Sequence, residues 1–445
     1  MFKKTFKVIA SAALLFTSVI QSAHALPSFA RQTGEACVAC HVSAFGPQLT
    51  PHGLQFKLGG YTDTDGKDGK IPLSMMMVGG LTHTKKDATE DYAHFGNNNV
   101  LSAQEISLFL AGGVNDHVGG FAQATWNDGD KHVNLDNMDL RIVNKTTHGD
   151  KDLVYGLSIN NNPTIQDPFN TLPGWRFPYT STEHGPEYNA SPLIDGGLEH
   201  SVMGISAYSF FDNSIYAEVG GYQSLSPSML KKLNVEGAGK LNGVAPYWRL
   251  ALFQDYKKQA FNVGIFGMNA KVQPDYLSSG PYDKYRDIGV DASYQFLGTR
   301  EHIWTANAAY IHEKTTFNAT EGDHDNKHSN LNRFDINTSY NYQNTYGLSA
   351  GIFGVNGKKD MTYYNTGDAD TGSVKGSPDT RGYILQADYT PWGKDDSWGS
   401  PWANLKVGLQ YTGYTKFNGS KNNYDGNGRD AKDNNTLFAF AWISF

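Results

Sequence analysis

"RDIGVDASYQF", residues 286 to 296, decides the fold. Ile288, Val290, Tyr294 and Phe296 occupy one set of alternate positions, and Asp287, Gly289, Asp291, Ser293 and Gln295 the other. A period of two belongs to a strand, not a helix. One face is apolar and aromatic, and the other is small, polar or charged. A tilted strand of about ten residues needs those two faces when it has lipid outside and a polar lumen inside.

The same pattern recurs along the chain, in "EISLFLAGGV" from Glu105, "YWRLALFQDY" from Tyr247, "FNVGIFGMNA" from Phe261, "HIWTANAAYI" from His302, "RFDINTSYNY" from Arg333 and "NLKVGLQYTGY" from Asn404. Roughly sixteen such segments fit between residues 71 and 445. No convincing amphipathic helix interrupts them, and mean hydropathy is low, at −0.48. Tight turns are expected at 211–214, 255–259, 297–301 and 342–346. Long polar loops are expected near 83–101, 161–199, 222–243, 313–328, 355–379 and 414–433. Short turns at one end and long loops at the other mark an outer-membrane barrel; the short link at 127–132 breaks the pattern. The last strand, "TLFAFAWISF", ends on Phe445 and must pair with the first, because no edge stays unpaired in lipid. The fold class read from these features is all-β, a transmembrane antiparallel barrel of about sixteen strands. A soluble β-sandwich or propeller leaves the loop asymmetry without a cause.

The N-terminus has Lys3, Lys4 and Lys7, an apolar run from about Val8 to Ile20, and Ala23 and Ala25. This is a secretory leader, residues 1–25, with cleavage expected after Ala25. The run is too short for a spanning helix. Its removal strips three lysines and no acid, so the exported chain is more acidic than the formal charge of −7. Nucleic acid is excluded as a partner, since phosphate contact needs Lys and Arg.

Between leader and barrel, residues 26–70 contain "GEACVACH", with both of the chain's cysteines. In an oxidising compartment Cys37 and Cys40 can form a disulfide, but redox dithiols accompany a βαβ pattern that is missing here. Zinc needs further ligands at nearby spacing, and none is evident. Cys-x-x-Cys-His is the attachment motif of a c-type haem, with Cys37 and Cys40 bonded to the vinyl groups and His41 beneath the iron. One covalent haem c is therefore expected. A segment this short buries too little to fold alone, so a plug in or under the lumen is expected. The second iron ligand is open between His52, in the same segment, and Met75, Met76 or Met77, in the first strand; thioether ligation raises the potential. "TDTDGKDGK" (62–70) reads as a turn-rich linker. "EGDHDNKH" (321–328) gathers Glu321, Asp323, His324, Asp325 and His328, which suit transient Fe(II) binding or a plain solvated loop.

"LPSFARQTGEACVACH" followed by "PQLTPHGLQFKLGGYT" resembles the outer-membrane cytochrome–porin fusions of iron-oxidising bacteria. The match runs through Pro27, Phe29 to Gly34, the Cys37–Cys40–His41 motif, Leu49, Gly53 and Phe56 to Tyr61, and "NNNPTIQDPFNT" (160–171) is also similar. The resemblance implies a monohaem segment before a sixteen-stranded porin-like barrel in the outer membrane. It also implies electrons taken from extracellular Fe(II), or another donor, and passed to a soluble periplasmic cytochrome. Leu54 stands where that family leads one to expect a basic residue. Two other functions fit the same residues: a porin gated by its haem segment, and a small haem enzyme such as a peroxidase.

Overall fold

The computed structural model describes residues 26–445 apart from 89–95, 127, 129–131, 187, 236, 238, 277–278, 366–371, 395–396 and 398–401. The expected leader, and most of the link at 127–132, lie outside the described residues. The strands are β1 (Leu73–Thr84), β2 (Val100–Asn115), β3 (Val118–Trp126), β4 (Val133–His148), β5 (Lys151–Asn160) and β6 (Val202–Phe211). There follow β7 (Ile215–Ser224), β8 (Lys240–Leu241), β9 (Ala245–Asp255), β10 (Gln259–Gln273), β11 (Asp283–Phe296) and β12 (His302–Thr316). The last are β13 (His328–Tyr342), β14 (Tyr346–Gly357), β15 (Thr380–Tyr389), β16 (Asn404–Lys416) and β17 (Thr436–Ser444).

Apart from β8, a two-residue ladder on the end of β10, these form one closed antiparallel barrel of sixteen strands. Chain neighbours pair throughout, β7 meets β9, and β1 closes the ring against β17 with Val78 opposite Trp442. Closure gives every strand two partners, the condition for crossing lipid with strands. In β11 the alternation lies as the sequence predicts: Ile288, Val290, Tyr294 and Phe296 face out, while Asp287, Asp291, Ser293 and Gln295 are buried in the lumen. Leu250, Leu252, Val263, Leu348, Leu385 and Leu409 extend the outer apolar surface. No helix among the described residues is long and apolar enough to cross a membrane; the crossing is made by strands.

The four expected tight turns join β6–β7, β9–β10, β11–β12 and β13–β14 at one end. The long loops gather at the other end, and Phe445 finishes at the turn end. Two expectations need correction. Short helices do occur in the loops, at Pro227–Leu233 and Met361–Tyr364. The lumen face is also not uniformly polar. Phe438, Phe440 and Trp442 of β17 point inward and pack with Phe45 and Val78. That stretch of wall is covered by protein instead of water, so aromatic side chains gain from burial there.

The loop 161–201 turns into the barrel instead of standing above it, and residues 161–172 are all buried. Wall charges tether it. The Arg249 guanidinium makes a two-point contact with Asp291 (2.7 and 2.9 Å) and lies 3.2 Å from Asp167 of the loop. Asp291 accepts from the Thr171 hydroxyl at 2.7 Å. Further up, Glu313 and Asp287 accept the loop amides of Leu193 and Ile194. A buried carboxylate is tolerable only with such donors, which ties the loop's position to the lumen charges.

Candidate functional site

The segment before β1 folds into three short helices, α1 (Pro27–Thr33), α2 (Cys37–Cys40) and α3 (Pro51–Leu58). Proline opens α1 and α3, where its fixed φ suits a first turn and its missing N–H costs nothing. Gly34 ends α1 at φ 73°, in the left-handed region that favours glycine. The His41 amide closes α2 on the Cys37 carbonyl (2.8 Å), and the chain doubles back so that His41 bridges Leu49. Thr50 then ties α3 to α2: its amide donates to Cys40 and its hydroxyl to Ala39, and its oxygen caps Gly53. A Cβ on Gly53 would overlap the Cys40 carbonyl oxygen, so only glycine allows this crossing.

Residues 26–61 pack inside the turn end of the barrel as the expected plug, while most of 63–70 is exposed. Wall side chains satisfy its backbone. Gln295 donates to Leu49 (2.6 Å), Asn404 to Ala44 (2.7 Å), and Tyr208 to Leu58 (2.8 Å). Asn170, from the inner loop, donates to Pro47 (2.7 Å). Leu54 packs with Leu58, Val143, Phe169 and Phe253. A basic side chain at this position would meet that apolar cluster.

Plug, wall and inner loop line an open-sided cavity of about 470 Å³, within the ~300–1,000 Å³ range of ligand sites. Cys40 and His41 line it, with the aromatic rings of Phe29, Phe56, Phe109, Phe121, Trp175 and Trp442 and, among polar groups, Glu35, Lys57, Glu105, Asp136 and Arg176. Burial pushes the His41 imidazole down to about 4, leaving it in the neutral form that ligates metals. Its Nδ1 and the Trp442 Nε1 are buried without a hydrogen-bond partner. Cys37 and Cys40 are not joined by a disulfide. Burial, with Glu35 beside it, pushes the Cys40 thiol up to about 12.

Of the four residues expected as a second iron ligand, the structure brings one to the cavity. Met76 shares the lumen face of β1 with Ser74 and Val78 and lines the same space as His41. Met75 and Met77 alternate to the opposite face. His52 is exposed on α3, with Nε2 2.5 Å from Glu35 Oε2, and does not line the cavity. His52, Glu35 and Cys40 do place ligand atoms within 4.8 Å of one another, but three ligands fall short of the four of a structural zinc site. Lys57, Trp175, Arg176 and Trp442 also line the cavity and carry no sequence motif.

The loop 321–328 does not gather its acids and histidines. His324 stacks on Phe317 (3.5 Å) and Tyr363 (4.5 Å) and pairs with Asp360 (3.0 Å), while Lys327 pairs with Glu321 (2.7 Å). These side chains build the loop's own fold.

No family model matches the chain, and no curated protein matches it. Among solved structures it is similar to the OmpT outer membrane protein of Vibrio cholerae, with 11% identity over 85% of this chain and 99% of that one, at a TM-score of 0.43. The anion-selective porin from Comamonas acidovorans is 11% identical over 84% and 98%, at 0.47. Pseudomonas putida OprB is 12% identical over 84% and 94%, at 0.46. At these values the likeness says nothing of what this chain binds, and the barrel rests on the strand pairing itself.

Proposed function

We propose that this protein is an electron-transfer cytochrome of the outer membrane, with one covalent haem c in the plug. It moves electrons between an extracellular donor, Fe(II) foremost, and a soluble periplasmic cytochrome. The observation that carries this reading is the Cys-x-x-Cys-His turn held inside a closed barrel, with Cys40, His41 and Met76 all lining one cavity. The residues fit the group: aromatic walls for a flat apolar body, a neutral buried imidazole with an unpartnered nitrogen, and two cysteines outside any disulfide. Cys37 and Cys40 would attach it, and His41 and Met76 would be its two iron ligands. A haem held there supplies a one-electron iron couple.

The chain's own part is placement. The hydrocarbon core is about 30 Å thick, too wide for a redox site on one surface to serve both sides. A plug docked in the lumen puts the site within the wall, and the buried loop 161–201 covers it toward the long-loop end. The turn end, where the plug enters, is on the periplasmic side in barrels of this kind. The same filling of the lumen favours electrons over solutes as the cargo.

The test is an anaerobic stopped-flow spectrum of the purified, detergent-held, oxidised protein mixed with Fe(II) near neutral pH. Rapid growth of the haem α-band is expected. A haem that dithionite reduces but Fe(II) does not would remove iron as the donor. A preparation carrying no covalent haem would sink the proposal.

A further inference from the structure

Lys57 is a charged side chain of the cavity whose hydrogen-bond partners are all neutral. It sits near the end of α3, is 3% exposed, and lines the cavity with Cys40 and His41. Its ammonium donates to the Ile165 carbonyl (2.9 Å) and to Asn170 Oδ1 (2.7 Å), both neutral, and lies 4.5 Å over the Trp175 ring. Three N–H donors are available and these bonds use two. Among the described residues no carboxylate forms an ion pair with it.

The acids within electrostatic range are engaged elsewhere. Asp139 holds Arg141, Tyr61 and Ser158; Asp167 holds Arg249 and Thr171; Glu218 holds Ser206 and Tyr216. Of the other charged side chains lining the cavity, Arg176 pairs with Asp195, Glu35 with His52 and Asp136 with His200, while Glu105 accepts only from the neutral Ser107 and Gln123 and makes no ion pair with Lys57. Burial and the neighbouring Arg141 push the ammonium down to about 7. A buried charge without a partner is expensive, and is relieved by an ion pair or by loss of the proton.

We propose that Lys57 is the counter-charge for a carboxylate of the tetrapyrrole held in this cavity, a positioning residue that draws the acid edge of that flat group toward Asn170 and Trp175. This rests on the haem reading above. It makes Lys57 a determinant of the site's potential: a fixed positive charge that neutralises the carboxylate disfavours the more positive, oxidised state.

The test compares Lys57→Met, Lys57→Gln and Lys57→Arg in the full-length, haem-loaded protein, with Asn170→Ala as the control for the hydrogen bonds alone. The readouts are the midpoint potential from pH 5 to 8 and the absorption spectrum of the oxidised state. Loss of the charge in the Met or Gln variant is expected to shift the potential down. It is also expected to make the potential fall with rising pH, since the unpaired carboxylate then binds a proton more tightly in the reduced state. Lys57→Arg and Asn170→Ala are expected to keep the parent potential and profile. A parent-like profile in both neutral variants overturns the proposal, as does the same loss of low-spin ligation in the Arg and neutral variants, which would make the amine an iron ligand. Haem staining of the denatured chain separates these outcomes from failure of the haem reading, because a chain without attached haem stains in no variant.

Discussion

At the scale of single residues, the site depends on which side of a strand or helix a side chain takes. Met75, Met76 and Met77 are chemically identical, and the pleat alone separates them. Met76→Ala is expected to change the oxidised spectrum and lower the potential, because loss of a thioether ligand favours the ferric state. Met75→Ala, Met77→Ala and His52→Ala are expected to leave the spectrum as it is; a change in His52→Ala with none in Met76→Ala would reverse the ligand assignment. Cys40→Ser is expected to abolish one of the two covalent links, read as altered haem staining and a red-shifted α-band. Leu54 makes the same point about surroundings. Leu54→Lys would place an unpaired charge against Phe169 and Phe253 and cost on the order of 3 kcal/mol, read as a lower unfolding midpoint in denaturant.

At the scale of elements, the plug and the inner loop are held by opposite physics. The plug is docked by apolar and aromatic contact, such as Phe45 against Trp442 with ring centres 4.8 Å apart. The inner loop is docked by charge, through Arg249, Asp291 and Asp167. Removing one partner of such a buried group typically costs about 3–5 kcal/mol, because the other charge stays behind. Asp291→Ala is therefore expected to loosen 161–201 while the barrel persists. Limited proteolysis checks this: new cleavage confined to that loop is expected, and an unchanged pattern would mean that the amides held by Asp287 and Glu313 suffice. The aromatic inner face of β17 belongs to this scale too, since a strand facing a docked element obeys the rules of a core and not of a water-filled channel.

At the scale of the whole molecule, a barrel that holds both a plug and a buried loop should not behave as an open pore. In planar bilayers the full protein is expected to conduct far less than a chain lacking residues 26–70. Equal, large conductance in both would favour the gated-porin reading, with solutes as the cargo. The truncated barrel is expected to insert, because every strand keeps its two partners without the plug.

The amino-acid sequence by itself determined the barrel, its strand count, the short-turn end and the Cys-x-x-Cys-His motif. Each of these is written locally: alternation within ten residues, turn residues between strands, and Cys37, Cys40 and His41 within one helical turn of each other. The tertiary structure alone decided which methionine lines a cavity with His41, what surrounds Leu54, where 161–201 lies and which groups surround Lys57. The cavity's walls come from α1 to α3, from β1 to β4, from the inner loop and from β17. Such residues share a surface only after the first and last strands have paired and the plug has entered, so no spacing in the linear chain records their contact.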